Sequence, residues 1–121
     1  MNKKLKLNVL GVMTGTSMDG VDISLINTNG TNFVKIIYEK SFKFNGNYQN
    51  TINNLIINKP KNNNKIKEHF LKKDDFVTNI LEKKIILFLK QKKINKKNID
   101  LISLSGQTVY HDPSNKISIQ L

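Results

Sequence analysis

Leu10-Gly-Val-Met-Thr-Gly-Thr-Ser-Met-Asp-Gly-Val-Asp22 is the stretch on which the fold turns. An apolar run beginning at Leu5 feeds into it, and Val21-Asp-Ile-Ser-Leu-Ile26 leaves it. Between the two lie Gly15 and Gly20, the hydroxyls of Thr14, Thr16 and Ser17, and Asp19. The spacing predicts strand, glycine-rich turn, strand. Glycine reaches backbone angles that other residues avoid and lets a ligand come close to the chain. Successive free N–H groups with hydroxyls beside them suit the oxygens of a phosphate. Asp19 is placed to hold a cation or a water beside that phosphate. A hairpin that merely needs small residues in its turn would make do with two glycines and one hydroxyl, so the full set favours a binding site.

Three familiar glycine motifs do not fit. A Walker-type loop needs Lys and Ser/Thr directly after its last glycine, where this chain has Val21. The dinucleotide fingerprint needs a helix after the turn, whereas the residues from Val21 onward alternate as a strand does. A nucleophile elbow needs Gly-x-Ser-x-Gly, and Ser17 is one residue too far from Gly20. A phosphate loop within a β-hairpin points instead to the nucleotide-binding style of actin-like ATPases and sugar kinases.

Gly11-Val-Met-Thr-Gly-Thr-Ser-Met-Asp-Gly-Val-Asp22 resembles the opening motif of the anhydro-N-acetylmuramic acid kinases. Gly106-Gln-Thr-Val-Tyr-His-Asp-Pro113 resembles the second motif of that family, and Ser118-Ile-Gln-Leu121 the strand that follows it. The resemblance implies an N-terminal lobe, residues 1–121, of a two-lobe kinase about three times longer. It implies an α/β, ribonuclease-H-like half domain of the actin-like type, with a mixed sheet opening on a three-stranded antiparallel meander and helices packed on it. It implies ATP and Mg²⁺ as cofactors. The reaction is hydrolysis of the 1,6-anhydro ring of anhydro-N-acetylmuramic acid with phosphorylation of O6, giving N-acetylmuramic acid 6-phosphate in peptidoglycan recycling. Gly15, Thr16, Ser17, Met18, Asp19, Gly20, Val21 and Asp22 match the family's ATP-binding segment, with Asp19 a metal contact through water. Gln107, Thr108 and His111 become candidates for contacting the sugar. No residue of this chain is expected to be the catalytic base, which the family places in its later part. Two positions depart from the pattern: Ser105 stands where the family has a histidine before Gly-Gln-Thr, and Met18 replaces a leucine.

Composition bounds the alternatives. The chain has 121 residues, enough for one domain, and no cysteine, so disulfides and cysteine-based zinc sites are excluded. No apolar run approaches the roughly 20 residues needed to span a bilayer. The basic start, Met1 to Asn8, has a short, interrupted apolar run and no small-residue cleavage site, so no signal peptide is expected and the location reads as cytoplasmic. The net charge of +11 comes from 20 basic residues that are all Lys. Nucleic-acid recognition favours the bidentate fork of Arg, so no specific nucleic acid and no membrane are expected as partners. The expected partner is the small amino sugar, with a homodimer possible for full-length relatives.

Along the chain, Leu5–Val12, Val21–Thr28 and Phe33–Phe42 read as three antiparallel strands, with Asp22 facing away from the apolar side. Lys43–Tyr48 reads as loop and Gln49–Asn58 as a helix. The Asn/Lys-rich stretch 43–64 as a whole is expected to be a mobile loop region. Residues 65–92 read as two helices meeting near Lys73, with Asp74 as N-cap of the second. Its apolar stripe is Val77, Ile80, Leu81, Ile85, Phe88 and Leu89. His69 reads as structural. Asn98–Ser105 follows as a short strand reached by a helical crossover, hence parallel to a neighbour. Two other functions stand beside the kinase lobe: an inactive truncated remnant of it, and a basic nucleic-acid-binding module.

Overall fold

The computed structural model describes residues 5–121, so Met1 to Lys4 of the basic start lie outside the described residues. The strands are β1 (Leu7–Thr14), β2 (Gly20–Thr28), β3 (Val34–Lys43), β4 (Leu101–Leu104), β5 (Thr108–Asp112) and β6 (Ile117–Gln120). The helices are α1 (Gly46–Ile57), α2 (Asn63–Leu71) and α3 (Asp74–Gln91), with a single 3₁₀ turn at Lys96–Asn98. The main sheet has the order β3-β2-β1-β4, and β5 and β6 form a separate two-stranded ribbon. β1 to β3 are antiparallel and β4 adds parallel to β1, as the alternation and the helical crossover predicted.

The pleat sorts the sheet into two faces. Leu10, Val12, Val21, Ile23, Leu25 and Phe42 share one face and are buried. They meet Tyr48, Ile52, Ile66, Phe70, Val77, Leu81 and Phe88 from the helices in one core. Each of these side chains contributes about 1.5–3 kcal/mol on leaving water. The opposite face carries Gly11, Met13, Asp22, Ser24, Glu39, Ser41 and Ser103 around an open hollow of about 820 Å³.

The helices begin earlier than composition suggests. The stretch 43–64 is not a continuous loop: α1 starts at Gly46, and only residues 58–62 connect it to α2. Asn45 is the reason, since its side-chain oxygen accepts from the Tyr48 N–H at 3.1 Å and caps α1. Asn62 caps α2 by the same device through Asn64, so that helix starts at Asn63 and not at Lys65. Asp74 is not an N-cap. Lys73 holds that position without a side-chain cap bond, because α2 runs almost directly into α3. Asp74 and Asp75 sit inside the first turn, where their charge complements the helix dipole. Asn98 belongs to the 3₁₀ turn capped by Asn95, which shortens the predicted strand at its start. Thr108–Asp112, within the second motif, forms a strand. It pairs with β6 and lays the Tyr110 ring 5.9 Å from the Phe70 ring. His69 is structural, its Nε2 lying 2.8 Å from the Leu55 carbonyl oxygen.

Candidate functional site

The turn between β1 and β2 is fixed from three sides. Inside it, the Met18 N–H donates to the Gly15 carbonyl at 3.2 Å, closing a tight turn over Thr16 and Ser17. Met18 itself adopts φ +57°, a left-handed conformation that bulky residues rarely take. Such strain persists where the surroundings hold it, and it gathers at functional sites. On the second side, Gly20 lies against β3. A Cβ there would stand 2.4 Å from the Phe42 carbonyl oxygen, so only glycine fits. The Phe44 N–H then donates to the Asp19 carbonyl at 2.8 Å, and the Gln49 amide reaches the Ser17 carbonyl at 3.3 Å.

The third side is the second motif. Gly106 follows β4 at φ +70°, with a would-be Cβ only 2.8 Å from the Leu121 carbonyl oxygen. Its carbonyl accepts from the Thr14 hydroxyl at 2.6 Å. Gln107 turns inward and is completely buried. Its Nε2 donates to the Gly15 carbonyl at 3.1 Å and to the Thr108 carbonyl at 3.2 Å, while its Oε1 accepts from the Tyr48 hydroxyl at 2.9 Å. With those bonds made, Gln107 acts on the turn and not on a sugar in solvent. Ser105 lies just before Gly106; its hydroxyl accepts from the Thr14 N–H at 3.2 Å and donates to the Gly106 carbonyl at 3.2 Å.

Gly15, Ser17, Asp19, Gly20, Asp22, Ser41 and Lys43 surround a hollow of about 330 Å³ at the turn. Ser17 donates its hydroxyl proton to Asp19 at 2.6 Å. That bond, with help from backbone N–H groups and from Lys43, holds the Asp19 carboxyl below its ordinary 3.8. Asp19 is therefore an anion at neutral pH, exposed at the mouth. Asp22 accepts from the Ser41 hydroxyl on the adjoining strand. Among the described residues no three His, Cys, Asp or Glu side chains gather as a metal site. Mg²⁺ commonly takes one or two carboxylates and completes its shell with phosphate oxygens and water, so Asp19 and Asp22 fit a metal that arrives with a nucleotide.

The other predicted residues separate. Val21 is buried in the core and offers the turn only its backbone. Thr108 is half-buried at the start of β5, and His111 is exposed farther along that strand, paired with Ser118. Sequence reasoning missed Tyr48, Lys43 and Ser41. Tyr48 had a signal: with Ile52 and Leu55 it makes the i, i+4, i+7 stripe of α1, one residue ahead of the predicted helix. No helix among the described residues is long and apolar enough to cross a membrane.

An α/β domain with a mixed sheet, built around a glycine-rich turn between its first two strands, is the class that these features define. Residues 7–121 match the family model described as anhydro-N-acetylmuramic acid kinase, and the chain belongs to that family. It is 36% identical over 119 residues to the anhydro-N-acetylmuramic acid kinase of Pelagibacter ubique, covering 93% of this chain and 30% of that protein. The corresponding protein of Bradyrhizobium diazoefficiens is 28% identical over 129 residues, covering 97% of this chain and 32% of the relative. That of Bacillus cereus is 30% identical over 108 residues, covering 87% and 27%. The chain thus spans about a third of the length of these curated relatives and matches their N-terminal part.

Proposed function

We propose that this chain is the phosphate-gripping N-terminal part of an ATP-dependent sugar kinase that opens the 1,6-anhydro ring of anhydro-N-acetylmuramic acid and phosphorylates O6. The observation that carries the proposal is the exposed Gly15–Asp19 turn, strained at Met18 and braced from below by Gln107. The sheet order β3-β2-β1-β4 supports an actin-like, ribonuclease-H-like half by analogy of fold.

Phosphoryl transfer asks a protein mainly to position the phosphates and neutralise their charge. In this proposal the Thr16 and Ser17 amides and the Thr16 hydroxyl hold phosphate oxygens. Lys43 adds positive charge at the same hollow. Mg²⁺, when bound with ATP, supplies charge neutralisation between the phosphates, and Asp19 is placed to hold it through water. The base that deprotonates the attacking water is expected outside these 121 residues, in the part of the relatives that this chain does not match.

The test is calorimetric titration of the full-length protein with ATP and Mg²⁺, followed by assay with the anhydro sugar. Asp19→Asn is expected to weaken Mg·ATP binding and turnover at least tenfold while the melting temperature holds. Unchanged binding and turnover would remove Asp19 from the site. Phosphotransfer by residues 1–121 alone would overturn the two-lobe reading.

A further inference from the structure

Gln107 and Tyr48 lie beneath the turn, and neither touches the hollow where a phosphate would sit by way of its polar atoms. Their hydrogen bonds form a closed account. Gln107 Nε2 carries two protons, and both go to carbonyl oxygens, those of Gly15 and Thr108. Its Oε1 accepts from Tyr48. Turned over by 180°, the amide would set its oxygen against two carbonyls, so this orientation is the one that satisfies every group. Burial pushes the Tyr48 phenol up to about 12, so it stays a donor throughout the physiological range. The ring is also held by Phe44 and Phe76, with centroids 4.0 and 5.9 Å away.

The consequence runs through one peptide plane. The carbonyl of Gly15 and the N–H of Thr16 belong to the same trans peptide and point in opposite directions. A Gly15 carbonyl drawn inward by Gln107 and by the Met18 N–H forces the Thr16 N–H outward. Thr16 is exposed, and among the described residues its N–H has no acceptor. We infer that Tyr48 and Gln107 are positioning residues: they act through the Gly15–Thr16 peptide to aim the Thr16 amide at an anionic phosphate oxygen. This rests on the turn being a phosphate cradle, and it adds the device that presets the cradle before the ligand arrives. Preset donors lower the ordering cost of binding.

The test uses two variants of the full-length, ¹⁵N-labelled protein with ATP and inorganic pyrophosphate as probes. Tyr48→Phe deletes one hydroxyl and keeps the ring packing. Gln107→Glu keeps the shape. When protonated, its carboxyl can donate to Gly15 as the amide does; when ionised, it can only repel that carbonyl. The wild type is expected to bind both probes with a displaced Thr16 amide signal. Tyr48→Phe is expected to bind them at least fivefold more weakly at every pH. Gln107→Glu is expected to approach wild type at low pH and to fall at least tenfold below it as its carboxyl ionises. The Thr16 amide signal of the ligand-free variants is the readout that separates the two roles, since a general loss of stability would not single out that residue. Binding by both variants within twofold of wild type across the pH range, with an unmoved Thr16 signal, would overturn the inference. If the wild type binds neither probe but both variants shift the Thr16 signal in the ligand-free protein, the kinase reading fails and the positioning role stands. If neither happens, both fall.

Discussion

Gly20→Ala is the substitution whose cost can be worked out most directly. The new methyl carbon would stand 2.4 Å from the Phe42 carbonyl oxygen, 3.3 Å from its carbon and 3.4 Å from the Lys43 Cα. All three obstacles are backbone of β3, so no side chain can swing aside. Relief requires β3 to move away from β2 by most of an ångström at this end. Overpacking of this kind costs about 1–3 kcal/mol. The movement also strains the Phe44-to-Asp19 hydrogen bond, now 2.8 Å, which contributes about 1 kcal/mol. The sum is about 2–4 kcal/mol, or roughly 8–20 °C in melting temperature for a domain of this size. Gly46→Ala is the matched control. Nothing lies within 4 Å of a Cβ there, and the residue opens α1, so the same methyl should stabilise by about 0.4–1 kcal/mol. Urea denaturation of the two variants beside wild type reads both signs. Equal midpoints for the two would refute the close approach of β3 to the turn.

Two further predictions follow from the caps and the turn. Asn45→Ala should cost about 1 kcal/mol by removing the side-chain cap and leaving the Tyr48 N–H only the Asn45 carbonyl, read as a lower urea midpoint with unchanged slope; no loss would mean that the Asn45 side chain does not cap α1. Ser17→Ala should raise the Asp19 midpoint towards 3.8, because the lost hydroxyl is the largest influence holding it down. A carboxylate held low in the folded protein adds stability above its unfolded value, and that stability is lost as pH falls through the folded midpoint. The variant should therefore be less sensitive to acid than wild type below pH 3.8. Carboxyl-carbon NMR reads the midpoint, and an unmoved value would remove the Ser17–Asp19 bond from the account.

The strand–turn–strand opening was legible because apolar runs flank a glycine cluster on both sides, the second alternating from Val21 to Leu25. The parallel placement of β4 was legible from the helices before it. What escaped the sequence was of two kinds. Asn45 and Asn62 act as caps, but in a chain crowded with asparagine a capping Asn looks like every other, so the start of α1 was read three residues late. The role of Gln107 escaped because an amide that binds a ligand and an amide that braces a backbone need the same donors and acceptor. Only its complete burial and the Tyr48 hydroxyl above it separate the two. Ser105 likewise could be read as a substitution but not as a partner of Thr14, because that bond joins residues 91 positions apart.

That distance has a consequence during synthesis. The β1–β2 hairpin needs only neighbours in sequence, and a hairpin closes in about 1–10 μs. The bond that sets its turn, from Gln107 to Gly15, spans 92 residues. At about 5–20 residues per second, the ribosome needs roughly 5–20 s to make that span. For those seconds the nascent hairpin has its outline but not its aim. The Gly15–Thr16 peptide, held until then by the Met18 N–H alone, gains its second restraint when Gln107 arrives, so in the proposed reading the turn's competence to grip an anion is completed late.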